Sequence, residues 1–261
     1  MRIRAVVTIG LAALIALAGC GAGGAGRPGA VGSGSAVTGS ITVFAAASLT
    51  ESFTTIGRRF EAAYPGTTVT FNFAGSSALA TQINEGAPAD VFASAAPTSL
   101  AVVVDAGNAA GTPTTFVRNQ LVIAVAEGNP KGVAGLADLA EPGLKVALCA
   151  QTVPCGAAAG TAIEAAGARI TPVTLEQDVK AALSKLKLGE VDAALVYRTD
   201  AKAAAADVDA VEFPESAKAV NDYPIVALKD ARNPAGAQAF IAFVLSADGV
   251  QVLTEAGFQT P

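Results

Sequence analysis

Short apolar runs alternate along this chain with stretches whose apolar residues recur every three or four positions. The runs at 41–46, 67–73, 91–95, 120–126, 145–149, 193–197 and 225–228 read as strands. Several are apolar throughout, as strands covered on both faces are. Between them lie helical patterns. Leu49, Phe53, Ile56 and Phe60 share one face over 49–63. Val179, Leu183, Leu186 and Leu188 predict a helix that ends near Gly189. The run 235–256, with Phe240, Phe243, Val244 and Val250, predicts a C-terminal helix. Such alternation calls for α/β packing with mainly parallel sheets. A chain of 261 residues can meet it with one doubly wound sheet or with two lobes. In the second case the chain crosses near 119–120 and returns near 222–223. The pattern alone does not choose.

The first residues follow a different logic. Arg2 and Arg4 precede an apolar run over 6–18, too short to span a bilayer comfortably and suited to a signal peptide over 1–19. The run ends in LAGC, residues 17–20, which resembles the lipobox of bacterial lipoproteins and predicts lipidation of Cys20. Gly, Ala and Ser then dominate to residue 39, so 20–39 reads as a lipidated cysteine and a flexible tether. The expected location is the outer face of the cytoplasmic membrane, held by the lipid alone.

Charge and composition narrow the function. Loss of the signal leaves 15 basic residues against 22 acidic ones, a formal charge of −7, with no basic cluster. Nucleic acid is therefore not an expected partner. The chain has no His, which removes His-based triads, proton shuttles and metal ligands. No paired carboxylates at catalytic spacing are evident. The expectation is a binding protein, not an enzyme, with no cofactor and no protein-bound metal cation.

Ligands in open α/β sheets collect beyond the carboxyl ends of strands, where helices begin. Four strand-to-helix junctions carry short polar residues. In FAAASLTESF, residues 44–53, Ser48 and Glu51 have the capping-box form, so Ser48 is expected to cap the following helix. In FAGSSALATQI, residues 73–83, Gly75 permits close backbone approach and Ser76 and Ser77 offer hydroxyls. In LCAQTVPCGAA, residues 148–158, the amide of Cys155 is free where an Ala-rich helix starts. In EQDVKAAL, residues 176–183, Asp178 caps and the amide of Val179 is an early helical donor. All are neutral donors, and none brings a Lys or Arg into the junction as a ligand group. Such a set suits a small, fully ionised oxyanion.

These segments, together with EGAPADVFASA (85–95) and VDAALVYRTDA (191–201), resemble the ModA family of molybdate- and tungstate-binding proteins that serve ABC importers. The resemblance runs from Ser40 to Phe258. It implies a two-lobed periplasmic-binding fold, each lobe a mixed, mostly parallel sheet flanked by helices, with the ligand in the cleft between them. Hinge closure on ligand is a property of this class. Lobe one is expected over 40–119 plus 224–261, and lobe two over 120–223. By position, Ser48 and Ser76 would offer hydroxyl and amide to the anion, Cys155 and Val179 their amides, and Tyr197 its phenol. Ser77 would pack or cap.

The implied ligand is molybdate or tungstate, with sulfate or another small solute as the alternative. A donor-only site leaves the proton of phosphate without an acceptor, at roughly 1–3 kcal/mol. Sulfate satisfies the same donors but is smaller. The implied partners are the anion and a membrane permease, and the implied state is a monomer. With Cys20 lipidated, Cys149 and Cys155 remain in an oxidising compartment and are expected to form a disulfide that stiffens the binding loop.

Overall fold

The computed structural model describes residues 37–261. The expected signal peptide, Cys20 and the tether up to residue 36 lie outside the described residues. Regular structure begins inside the expected tether, because Gly39 already opens the first strand.

Two sheets of five strands divide the described chain. The first contains β1 (Gly39–Ala46), β2 (Thr67–Ala74), β3 (Val91–Ala93) and β4 (Ala109–Asn119). The second contains β5 (Leu121–Ala126), β6 (Val146–Cys149), β7 (Thr174–Glu176), β8 (Ala193–Tyr197) and β9 (Val208–Val211). The chain then returns to the first sheet as β10 (Asn221–Leu228). The strand orders are β2-β1-β3-β10-β4 and β7-β6-β8-β5-β9. We call the part built on each sheet lobe one and lobe two.

Pairing is parallel where β1 meets β2 and β3, and where β6 meets β7 and β8. It is antiparallel where β10 meets β3 and β4, and where β5 meets β8 and β9. In each sheet four of the five strands run in one direction, so both sheets are mixed and mostly parallel, as expected. One strand is reversed in each sheet, β10 in the first and β5 in the second, and the edge strands β4 and β9 pair only with these and so run with the βαβ strands. Strands β4, β7 and β9 were not among the predicted runs. Their exposed faces and mixed polarity hide them, as in AAGTPTTFVRN of β4.

The helices are α1 (Thr50–Ala63), α2 (Ser76–Asn84), α3 (Pro97–Asp105), α4 (Pro154–Ala166), α5 (Val179–Lys187), α6 (Arg198–Ala203), α7 (Pro234–Val244) and α8 (Ala247–Ala256). The single C-terminal helix expected over 235–256 is two, bent by 59°. Ser246 causes the break by accepting from the Gly249 N–H and so starting α8 afresh. Helix α1 buries Phe53, Ile56 and Phe60 as its spacing requires. They meet Phe71, Phe116 and Phe240 in the aromatic core of lobe one. Lobe two is filled mainly by Val, Leu and Ala side chains.

Candidate functional site

Ser48, Ser76, Cys155, Val179 and Tyr197 all line one small cavity between the lobes. The centres of water-sized groups have about 20 Å³ to occupy there. No Lys or Arg lines it.

Lobe one contributes hydroxyls. Ser48 follows β1 in a 3-10 turn, Ala47–Leu49, that precedes α1. That turn corrects the expected cap. It carries Ser48 into helical phase before α1 begins, and the hydroxyl lies 2.8 Å from the phenol oxygen of Tyr223 instead. Glu51, the other half of the supposed capping box, pairs with Lys180 at 2.8 Å. Ser76 is the first residue of α2, with Gly75 at the N-cap. Its buried oxygen accepts from the Ala95 N–H at 2.9 Å. The Ser76 proton is thus left for another acceptor.

Lobe two contributes helix starts. Pro154 opens α4, a position that needs no N–H, and Cys155 follows it. Cys155 is bridged to Cys149 at the end of β6, with Cα atoms 5.7 Å apart. Gly156 leaves room for this turn, since a Cβ there would collide with the Ala150 and Cys149 carbonyls. Asp178 caps α5, its Oδ1 accepting from the Ala181 N–H at 2.9 Å. This occupies one oxygen of the carboxylate that borders the cavity, and Val179 becomes the first helical residue. The starts of α2, α4 and α5 together favour negative charge.

Tyr197 ends β8 and is 1 % exposed. Its hydroxyl meets no hydrogen-bond partner within the protein. Burial first, then the neighbouring Tyr223 and Asp200, hold its pKa well above the ordinary phenol value. It remains a protonated donor.

Other groups cross the cleft. Ser77 donates to the Thr152 carbonyl at 2.6 Å, so it joins the lobes rather than capping. A Cβ on Gly75 would collide with the Gln177 carbonyl, which brings the two lobe edges into direct backbone contact. Lys180 of α5 reaches both Glu51 of α1 and the fully buried Asp200 of α6, the latter at 3.0 Å. That Asp200 oxygen lacks the alignment of a hydrogen bond. Burial raises the Asp200 pKa to about 6 despite Lys180. Burial pulls the Lys180 ammonium down, but Asp200 and Glu51 outweigh it, and its pKa ends above the ordinary lysine value. Sequence reasoning missed Tyr223 and Lys180. Tyr223 lies in NDYPIVAL, where the apolar run on which a strand was expected begins only at Ile225.

Residues 41–259 match the family described as bacterial extracellular solute-binding protein. The molybdate-binding protein ModA of Mycobacterium tuberculosis is 48% identical over 222 residues, which is 85% of each chain. This chain is a ModA-family solute-binding protein. Among solved structures, the Azotobacter vinelandii periplasmic molybdate-binding protein superposes with a TM-score of 0.74 at 22% identity, over 85% of this chain and 99% of that one. The sulfate-binding protein SubI of Mycobacterium tuberculosis gives 0.72 at 18% identity, over 85% and 86%. Both likenesses are of fold. They show that one ModA-type scaffold is shared by proteins named for different tetrahedral oxyanions, so the ligand must be argued from the site.

Proposed function

We propose that this protein is the extracytoplasmic receptor of an ABC importer and binds molybdate or tungstate in the cavity between its lobes. The observation that carries the reading is the Tyr197 hydroxyl. It is a buried proton donor without a partner, beside two serine hydroxyls and three helix starts, with no cation lining the cavity. An unpartnered buried donor is costly unless a ligand accepts from it. A fully ionised oxyanion accepts in every direction, so one small ligand satisfies the whole set. Ser48 and Ser76 would bind from lobe one, and the amides of Cys155 and Val179 with the Tyr197 phenol from lobe two. Such an anion draws both lobes onto itself, and closure presents them to a permease. The cargo is then the oxyanion itself, with no resident cofactor.

The relative at 48% identity, named for molybdate, supports this ligand over sulfate. The LAGC sequence supports anchoring through Cys20 to the outer face of the cytoplasmic membrane. Calorimetric titration of the signal-less protein with molybdate, tungstate, sulfate and phosphate tests the reading. Saturable binding of the first two, and weak or no binding of the others, is expected. Absence of both heat and thermal stabilisation with molybdate and tungstate overturns it.

A further inference from the structure

Three cavity residues have a charged neighbour close behind them in the chain. Glu51 lies one helical turn after Ser48. Lys180 follows Val179 directly. Asp200 lies one turn after Tyr197, and its Oδ2 accepts from the Tyr197 N–H at 3.3 Å. None of the three charged residues lines the cavity. Their side chains nevertheless meet. The Lys180 ammonium donates to both carboxylate oxygens of Glu51 at 2.8 Å and lies 3.0 Å from Asp200 Oδ1.

The two carboxylates stand in different relations to the lysine. Asp200 and Lys180 both belong to lobe two, on α6 and α5. The Asp200 side chain is fully buried, and that of Lys180 is 26 % exposed. A buried carboxylate stripped of its counter-charge is costly, so this pair persists whatever lobe one does. It holds the lysine side chain in place beforehand and spares the rotamer freedom that a long side chain gives up on pairing. Glu51 alone comes from lobe one, and its side chain is 52 % exposed. Hinge opening carries α1 away from α5 and breaks only the Glu51 half of the contact. The Ser77 hydroxyl, donating to the Thr152 carbonyl, joins the lobes at the Ser76 end of the cavity, and the Glu51–Lys180 pair joins them at the Ser48 end.

We propose that Glu51 and Lys180 form a latch between the lobes: a cation already set in place on lobe two captures Glu51 as lobe one closes, and so slows release of the bound anion. Both are positioning residues, and neither touches the ligand. The inference rests on reading the cavity as an oxyanion site, and it adds what holds that site shut. Charge alone predicts the opposite role for Glu51. A carboxylate near a bound anion repels it, in a protein that is already acidic. Its removal should tighten anion binding unless that carboxylate ties the lobes together.

Stopped-flow kinetics with molybdate on the signal-less protein tests the latch in wild type, Glu51→Ala, Lys180→Met and the double variant. Glu51→Ala leaves the Lys180–Asp200 pair of lobe two intact and removes only the cross-lobe half. Its dissociation rate should rise about two- to fivefold, the scale of an exposed ion pair, while association does not slow. In the Lys180→Met background the same substitution should no longer speed release, because only the charge effect is left. If Lys180→Met does not fold with Asp200 unpaired, the release rate of Glu51→Ala decides alone. Release that is unchanged or slower in Glu51→Ala, with molybdate still bound by wild type, overturns the latch and leaves the oxyanion site standing. An equal rise with Lys180 already removed also overturns it, since the effect would not pass through the lysine. If wild type binds no molybdate, the oxyanion reading falls and this inference with it.

Discussion

Lobe one meets the cavity with the hydroxyls of Ser48 and Ser76, whereas lobe two meets it with the first residues of α4 and α5 and a single phenol. A helical amide has its direction set by the backbone, whatever side chain hangs from it. A hydroxyl takes its direction from its neighbours: the Ala95 N–H makes the Ser76 oxygen an acceptor toward the protein, and Ser48 pairs with the Tyr223 phenol, a contact in which either oxygen can donate. Lobe one is therefore the half in which side-chain identity decides binding, and lobe two the half in which helix placement does.

The largest break in that contrast should come from the serines. A hydrogen bond to a charged partner contributes about 1.5–3 kcal/mol, so Ser48→Ala or Ser76→Ala should each weaken molybdate binding roughly 10- to 100-fold by calorimetry. Ser76→Ala should also lower folding stability, because it strands the buried Ala95 N–H. Unchanged affinity in both would remove the hydroxyls from the site.

The cysteines probe the other half. In a Cys149→Ser, Cys155→Ser variant the Cys155 position keeps its amide and loses only the bridge to β6. Denaturant unfolding should show a loss of about 2 kcal/mol, the loop-closure value for so short a loop. Molybdate affinity should fall by only about threefold, under 1 kcal/mol. A loss as large as that of the serine variants would mean that the bridge, and not the start of α4, holds the amide in place.

This division also explains how much could be read in advance. The strand-to-helix junctions were legible because Gly, Ser, Asp and Pro at helix starts have local reasons to be there, and those junctions are where the cavity forms. The α/β class followed from apolar periodicity, which buried strands such as β5 and β8 display. Strands β4, β7 and β9 did not stand out, since each leaves residues exposed and reads as loop. Ser48 lines the cavity, as its junction predicts, but its side chain does not cap the helix. Its S-x-x-E pattern is a local signal, and it was overridden by Tyr223, 175 residues away. Tyr223 and Lys180 reach their partners, Ser48 and the Glu51–Asp200 pair, only through tertiary packing, so no spacing within one segment could mark them.

The last effect expected concerns the support of the one side-chain donor of lobe two and is read in stability, not in affinity. Tyr197 is held from below by Asp200, whose Oδ2 accepts from the Tyr197 N–H at 3.3 Å. Asp200 is wholly buried at the start of α6, facing Lys180 of α5, with Glu51 of α1 beyond it. Burial outweighs Lys180 and raises its pKa from 3.8 to about 6. The folded state therefore holds this proton more tightly than the unfolded one. Its contribution to stability is full below 3.8 and is lost as pH rises through about 6. Asp200→Asn keeps an acceptor for the Tyr197 N–H and removes the titration. The difference in stability between the variant and wild type should move in the variant's favour across that window and be flat above it. Removal of a partner from Lys180 adds an offset without pH dependence there, because Lys180 titrates only at alkaline pH. Thermal melts at a series of pH values check the slope. A difference that stays level from 3.8 to about 6 would mean that Lys180 neutralises the burial of Asp200, and that the phenol side of lobe two rests on a fully ionised pair.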